Sequence, residues 1–277
     1  MVKIIFFGTP DYVIPILEGL NKHYKLVGVV TQPPKLVGRK QLKTFSAVDN
    51  WAHKRKIKVI TDLREKLPEA NLGIVASYGR IIPQEVINHF KNGILNIHPS
   101  LLPKYRGASP IQSQIIDGVA ETGVTVIKMD SKMDHGPIVS SLWGVITPED
   151  TNETLRNKLF HESVEFLIEL IPNYLTGKIK LKPQDEAGAT FTKIIDRDDG
   201  RVDLKKDDPI QIERKFRALN PWPGIFTQVN INGKNLRLKI LGLHLEDGKM
   251  VLDKVQLEGK KAVSFEEFKR GYPQIEF

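Results

Sequence analysis

Short apolar runs and amphipathic stretches alternate along the first half of the chain. Ile4 to Phe7, Leu26 to Val30, Leu72 to Ala76 and Ile94 to Ile97 are apolar runs, with a briefer one at Lys58-Val59-Ile60. Runs of this length without polar alternation suit strands covered on both faces. Between them, Asp11 to Leu20, Ser46 to Arg55 and Pro83 to Phe90 carry apolar residues at helical spacing. Ser46 is placed to cap its helix, and Pro83 sits near a first turn, where a missing amide hydrogen does no harm. The alternation predicts an α/β fold with a mainly parallel sheet covered on both faces. The turn Gly8-Thr9-Pro10 after the first strand lacks G-x-G-x-x-G spacing, and Pro10 removes an amide that a phosphate would use. It reads as a tight strand-to-helix turn, not as a nicotinamide or flavin site.

The second half begins in the same style and then changes. Pro110 to Asp117 is helical and Gly118 stops it; Val124 to Met129 and Ile138 to Val145 are strands. Thr151 to Leu175 is a long amphipathic helix, with a break expected near Pro172. Lys178 to Asp185 is polar and mixed, which suits a linker. Beyond Leu204 come a helix at Gln211 to Ala218, a breaker Asn220-Pro221-Trp222-Pro223-Gly224, and short strands at Thr227–Val229, Leu236–Leu245, Lys249–Leu252 and Val255–Leu257. Asn232-Gly233 and Asp247-Gly248 between apolar runs are hairpin signals, and Glu258-Gly259 splits the last strands. The expected organisation is a domain over 1–180, a linker over 181–203 and a small β-rich domain over 204–277.

Composition narrows the class. The 40% apolar and 27% charged fractions are those of an ordinary globular protein. The chain has no cysteine, which excludes disulfides, thiolate nucleophiles and thiolate metal sites. No His and acid residues have metal-ligand spacing, so no metal is expected. No apolar run is long enough to cross a bilayer and no signal-peptide pattern leads the chain, so a cytoplasmic, membrane-free protein is expected. The net charge is +8 and the pI about 9.4, a balance that favours polyanionic partners. Lys35, Arg39, Lys40 and Lys43 lie in a stretch without an acid, at the carboxyl end of the second strand. Ligands bind at that edge of parallel sheets, although a lysine run is also commonly a solvated face.

The candidate chemistry centres on Leu95-Asn96-Ile97-His98, followed by Pro99-Ser100-Leu101-Leu102-Pro103-Lys104-Tyr105-Arg106-Gly107. Residues at i and i+2 of a strand share a face, so Asn96 and His98 stand side by side where a buried strand reaches the surface. An amide donor beside an imidazole suits acyl chemistry, because one holds an oxyanion and the other moves a proton. Two satisfied polar groups at a strand end would give the same dipeptide pattern. Such a pair still wants a carboxylate to set the imidazole tautomer, and Asp134, in the turn Met133-Asp134-His135-Gly136-Pro137 between two strands, is a candidate; locally it is equally a turn residue ahead of Gly136. His135 is assigned no role, and Asp130 reads as a strand-end cap or turn.

Asn96 to Pro103, Tyr105-Arg106-Gly107, Pro110-Ile111, Thr122-Gly123-Val124-Thr125 and Asp134 to Pro137 together resemble the folate-dependent formyltransferases. The resemblance runs from Ile4-Ile5-Phe6-Phe7-Gly8-Thr9-Pro10 to Phe265-Glu266-Glu267-Phe268 and is strongest to the tRNA-directed branch of that family. It implies a Rossmann-like domain followed by a small barrel of the oligonucleotide-binding (OB-like) type. It implies a catalytic trio of Asn96, His98 and Asp134, with 10-formyltetrahydrofolate as co-substrate. Ser100, Leu101, Leu102 and Pro103 would contact that donor, as would backbone around Tyr78 and Gly79. Ser77 and Pro99 depart from the family pattern, where alanine or valine and glycine are commoner. The acceptor would be initiator methionyl-tRNA, gripped by Lys35, Arg39, Lys40, Lys43, Arg214 and Arg217, with Trp222 as a packing anchor between domains. The protein is expected to act as a monomer, and the chain ends sooner than the family pattern leads one to expect. A sugar-nucleotide N-formyltransferase shares the trio and is the alternative. A formate-releasing hydrolase and a non-catalytic RNA-binding protein on the same scaffold are more distant ones.

Overall fold

The computed structural model describes residues 1–38 and 41–275. In chain order the strands are β1 Lys3–Gly8, β2 Lys25–Val30, β3 Lys35–Val37, β4 Leu42–Thr44, β5 Val59–Ile60, β6 Leu72–Ala76, β7 Ile94–His98, β8 Arg106–Gly107, β9 Glu121–Lys128, β10 Ile138–Val145, β11 Phe191–Thr192, β12 Ile225–Ile231, β13 Lys234–Glu246, β14 Lys249–Leu257 and β15 Ala262–Ser264. The helices are α1 Ile14–His23, α2 Ala47–Lys54, α3 Gln84–Asn88, α4 Pro110–Asp117, α5 Asn152–Leu175, α6 Pro209–Leu219 and α7 Phe265–Gly271. They form two compact units. The first comprises Met1–Pro110, Glu121–Val145 and Arg156–Thr192; the second comprises Ile111–Ala120, Ile146–Leu155 and Lys193–Phe277.

The first unit is built on a seven-stranded sheet of order β10-β9-β7-β6-β1-β2-β5. The five strands from β7 to β5 run parallel, while β9 is antiparallel to both β7 and β10. The apolar runs explain this placement. Ile4, Ile5, Phe6 and Phe7 of β1 are wholly buried, so both faces of the strand are covered. Helix α1 lies close against α5, because a Cβ on Gly19 would stand 2.4 Å from Val164 Cγ1. Ser46 caps α2 as expected, accepting from Asp49 N at 3.0 Å.

Two expectations for this unit change. The long helix does not break at Pro172. Proline leaves the carbonyl four residues back without its helical donor. Here that carbonyl, on Ile168, accepts from the Tyr24 hydroxyl at 3.3 Å, which offsets the loss. The segment read as linker is also tied in over its first part. Lys182 and Ile138 exchange backbone hydrogen bonds of 2.9 and 2.8 Å, and β11 pairs in parallel with β8. Its polar composition reflects side chains that bond to the rest of the unit, not solvation alone.

The β-rich second unit is an antiparallel meander of order β12-β13-β14-β15. Asn232-Gly233 and Asp247-Gly248 are two-residue hairpin loops with positive φ at all four positions (50, 78, 50 and 75°). The two strands read at Lys249–Leu252 and Val255–Leu257 are one strand, β14. Among the described residues the hydrogen-bonded order runs from β12 to β15. Leu238, Val255, Leu257 and Phe268 fill its core. Helix α7 opens with a capping box between Ser264 and Glu267. No helix among the described residues is long and apolar enough to cross a membrane.

Candidate active site

Strand β7 is paired on both sides, with Asn96 opposite Val75 of β6 and Ile127 of β9. That pairing fixes its backbone and aims Asn96 and His98 to one face. Asp134 reaches them from the loop between β9 and β10. Asn96 Nδ2 donates to Asp134 Oδ1 at 3.0 Å. His98 Nδ1 lies 3.5 Å from Asp134 Oδ2, and that same oxygen accepts from Gly107 N at 2.9 Å. The other ring nitrogen, His98 Nε2, is 2.9 Å from the carbonyl oxygen of Tyr105. A carbonyl only accepts, so Nε2 carries the hydrogen there and Nδ1 is the nitrogen facing the carboxylate. The three side chains singled out in the sequence therefore converge. His98 is 4% exposed, so this convergence lies out of bulk water.

The loop that follows β7 is held from inside. Ser100 Oγ donates to Lys104 O at 2.7 Å, and Thr125 Oγ1 donates to Ser100 O at 2.7 Å while accepting from Leu102 N at 3.0 Å. Ser100 is thus a wholly buried loop brace, and its hydroxyl is turned inward. Leu101 packs over Gly123, where a Cβ would stand 2.7 Å from Leu101 Cδ2. Leu102 is buried, and the Leu102-Pro103 peptide is cis. At the end of β6, Ser77 and Gly79 adopt positive φ (49 and 74°), which turns the chain sharply. The Tyr78 side chain is in the core, edge-on to Phe7 with ring centroids 6.0 Å apart. Its carbonyl accepts from Thr9 Oγ1 at 2.9 Å and Gln32 Nε2 at 3.1 Å. The peptide of Tyr78, not its ring, faces the turn.

Local reading of the sequence missed the groups behind Asp134. Arg106 is 2% exposed, and a buried cation needs partners. Its Nε and Nη2 donate to Gln184 Oε1 at 3.1 and 2.8 Å; Nη1 and Nη2 donate to Glu186 at 3.0 and 2.7 Å. The hydrogen bond from Arg106 holds the Glu186 carboxyl below the usual glutamate range, and Glu186 in turn raises the guanidinium further. His135 joins the cluster, with Nδ1 at 2.6 Å from Asp130 Oδ2 and Nε2 at 3.5 Å from Glu186 Oε1. Arg106 stood in the motif; nothing local marked Gln184 or Glu186, 78 and 80 residues further on.

The basic residues divide. Lys35 and Lys43 stand on the exposed β3–β4 hairpin, with Lys43 Nζ 5.5 Å from the centre of the Phe45 ring; Arg39 and Lys40 lie outside the described residues. Arg217 is taken up within the second unit: Nε donates to Glu213 at 2.5 Å and Nη1 to the Asp150 carbonyl at 2.7 Å. The Arg214 guanidinium lies over Gly118, where a Cβ would meet its Cζ at 2.0 Å. Trp222 is 57% exposed.

Comparison with known proteins matches this architecture throughout. Residues 2–171 fit the formyl transferase family and residues 194–250 fit the formyl transferase C-terminal domain. The methionyl-tRNA formyltransferase of Roseiflexus castenholzii is 35% identical over 98% of this chain and 96% of its own. The chain belongs to the formyl transferase family. A second relative of the same name, from Roseiflexus sp., is 40% identical over 82% of this formyl transferase and 73% of its own length. The solved methionyl-tRNA formyltransferase from Clostridium thermocellum has the same fold, with a TM-score of 0.62 at 20% identity over 93% of this chain and 99% of its own. The N-formyltransferase of Helicobacter canadensis, solved with folinic acid and dTDP-3-aminofucose, scores 0.66 at 19% identity over 95% and 99%. Among the described residues no cluster of His and acid groups has metal-binding geometry.

Proposed function

We propose that this formyl transferase moves a formyl group from 10-formyltetrahydrofolate to the α-amine of methionine on initiator tRNA, acting as a monomer in the cytoplasm. The observation that carries the reading is the meeting of Asn96 and His98 with Asp134 across 3.0 and 3.5 Å. The neutral amine attacks the formyl carbon, forming a C–N bond and an oxyanion. Asn96 Nδ2 donates one hydrogen bond to Asp134 Oδ1, and its second N–H serves the oxyanion. His98 Nδ1 takes the proton lost by the attacking nitrogen and delivers it to N10 as the C–N10 bond breaks. The Asp134 carboxylate offsets the charge on the ring in between. The Tyr105 carbonyl keeps the ring from turning. The products are the formamide and tetrahydrofolate.

The residues fit a flat donor with polar edges. Leu101 and Pro103, half-buried, supply apolar surface after β7, and the buried Leu102 between them anchors the loop. The sharp turn at Ser77 to Gly79 presents peptide groups, and Ile81 beside it is 88% exposed. For the acceptor, Lys35 and Lys43 on the exposed β3–β4 hairpin are the described side chains best placed for phosphate; Arg217 is not among them. Removing both Lys35 and Lys43 is expected to lower the salt slope of RNA binding by about 2.

The test gives the purified protein a formyl donor with methionyl-tRNA in one arm and an amino-sugar nucleotide in the other. Formyl-methionyl-tRNA is the expected product. Formylation of the sugar alone would overturn the proposal, and binding of RNA without turnover would return the scaffold to a non-catalytic role.

A further inference from the structure

Asp134 needs an explanation that its own contacts do not supply. Its φ of 47° lies in the left-handed region, which costs a non-glycine residue roughly 1 kcal/mol or more. Such a conformation persists only where surrounding groups over-determine it. Two residues on, Gly136 is pressed onto β9, since a Cβ there would stand 1.9 Å from the Lys128 carbonyl oxygen. The loop between β9 and β10 therefore carries strain at the residue on which the chemistry depends.

Gln184 is the group that meets both positions. Its Nε2 donates to Asp134 O at 2.8 Å and to Gly136 O at 2.8 Å, so one amide uses both hydrogens on the two ends of the bend. Its Oε1 accepts twice from Arg106. An Asn or Gln amide is ordinarily free to turn end for end. This one is not, because a guanidinium can only donate and a carbonyl can only accept. Glu186 holds Arg106 from the other side, and the hydrogen bond from Arg106 to Glu186 keeps that carboxylate below its ordinary range. The backbone of Gln184 is fixed as well, by the Lys182–Ile138 bridge before it and by β11 after it. We propose that Gln184, oriented by Arg106, is the positioning residue that sets the Asp134 carboxylate against Asn96 and His98.

The inference rests on the reaction proposed above, and its test separates the two. Gln184→Glu keeps both acceptor contacts to Arg106 but sets a carboxylate oxygen against the carbonyls of Asp134 and Gly136. Because a displacement of about 1 Å at a reacting group costs on the order of 10²-fold, kcat is expected to fall about 30-fold or more. KM for each substrate should stay within about twofold, since the binding surfaces are untouched. The nitrogen NMR signal of His98 Nδ1 should move, because the carboxylate facing it has moved. A folded Gln184→Glu protein with the wild-type kcat and an unshifted His98 signal would overturn the inference. Should that variant fail to fold, Arg106→Lys loosens the amide without replacing it. It should lower kcat about fivefold at unchanged KM, and an unchanged kcat in that variant counts against the inference equally. If the wild-type protein formylates nothing, the reaction is wrong, and the His98 signal still decides the positioning.

Discussion

Asn96 and His98 stand on a central strand with hydrogen-bonded neighbours on both sides, whereas Asp134 stands on a loop with a left-handed backbone angle. The sheet holds the main chain of the strand pair on both sides, and the Tyr105 carbonyl holds the His98 ring. The carboxylate needs Asn96 and Gly107 on its oxygens and Gln184 on its backbone. Rigidity comes cheaply where the main-chain ladder supplies it and has to be assembled from distant side chains where it does not. Substitutions on the strand should accordingly remove chemistry while leaving its main chain in place, whereas substitutions around the loop should remove placement first.

The largest effect is expected at the strand. Asn96→Ala should cost about 10²–10³ in kcat with the melting temperature little changed, measured by formyl transfer and thermal unfolding side by side. An Asn96→Ala enzyme within about twofold of wild type would show that the oxyanion is held elsewhere. Asp134→Asn comes next. Asn96 Nδ2 and Gly107 N donate to separate oxygens of the carboxylate, so an amide at 134 sets its own donor against one of them whichever way it turns. About a hundredfold loss of kcat is expected, because the charge facing His98 Nδ1 is gone and the side chain at 134 is displaced.

Gly136→Ala sharpens the contrast further out. The added Cβ cannot fit beside the Lys128 carbonyl, so the loop must lift, and about 2 kcal/mol of stability and about tenfold in kcat should go together. A neutral outcome in both assays would mean the loop adjusts without moving Asp134.

The ion pair behind the loop gives a pH signature. Glu186 titrates below its usual range because it accepts from Arg106, so it favours folding above the unfolded glutamate value and loses that contribution as pH falls through the depressed one. The melting temperature should be steady near neutrality and fall below about pH 4, and Glu186→Gln should flatten that acid limb. Ser46→Ala, far from the loop, should cost about 1 kcal/mol through its lost cap and leave kcat unchanged.

Legibility in the sequence follows the same divide. β1 and β6 could be read from unbroken apolar runs, β7 from an apolar run interrupted at Asn96, and the two hairpins of the second unit from Asn232-Gly233 and Asp247-Gly248, because local residues decide those structures. The placing of Asn96 beside His98 follows from strand period alone. Gln184 and Glu186 could not be read, because a polar residue paired with Arg106 looks the same in sequence as one facing water. Pro172 misled for a related reason: the hydroxyl that takes over the freed carbonyl is on Tyr24, 144 residues away from Ile168. Arg217 was read as free charge because Glu213 and the Asp150 carbonyl are visible as its partners only in the fold.

The β9–β10 loop closes at its neck through Lys128 N and Pro137 O, 3.0 Å apart. Ser131, Lys132 and Met133, within that closure, are exposed to solvent. Asp134 lies inside the same closed loop, next in the chain to Met133, so a residue inserted or removed among those exposed positions would be felt by the carboxylate through the main chain itself.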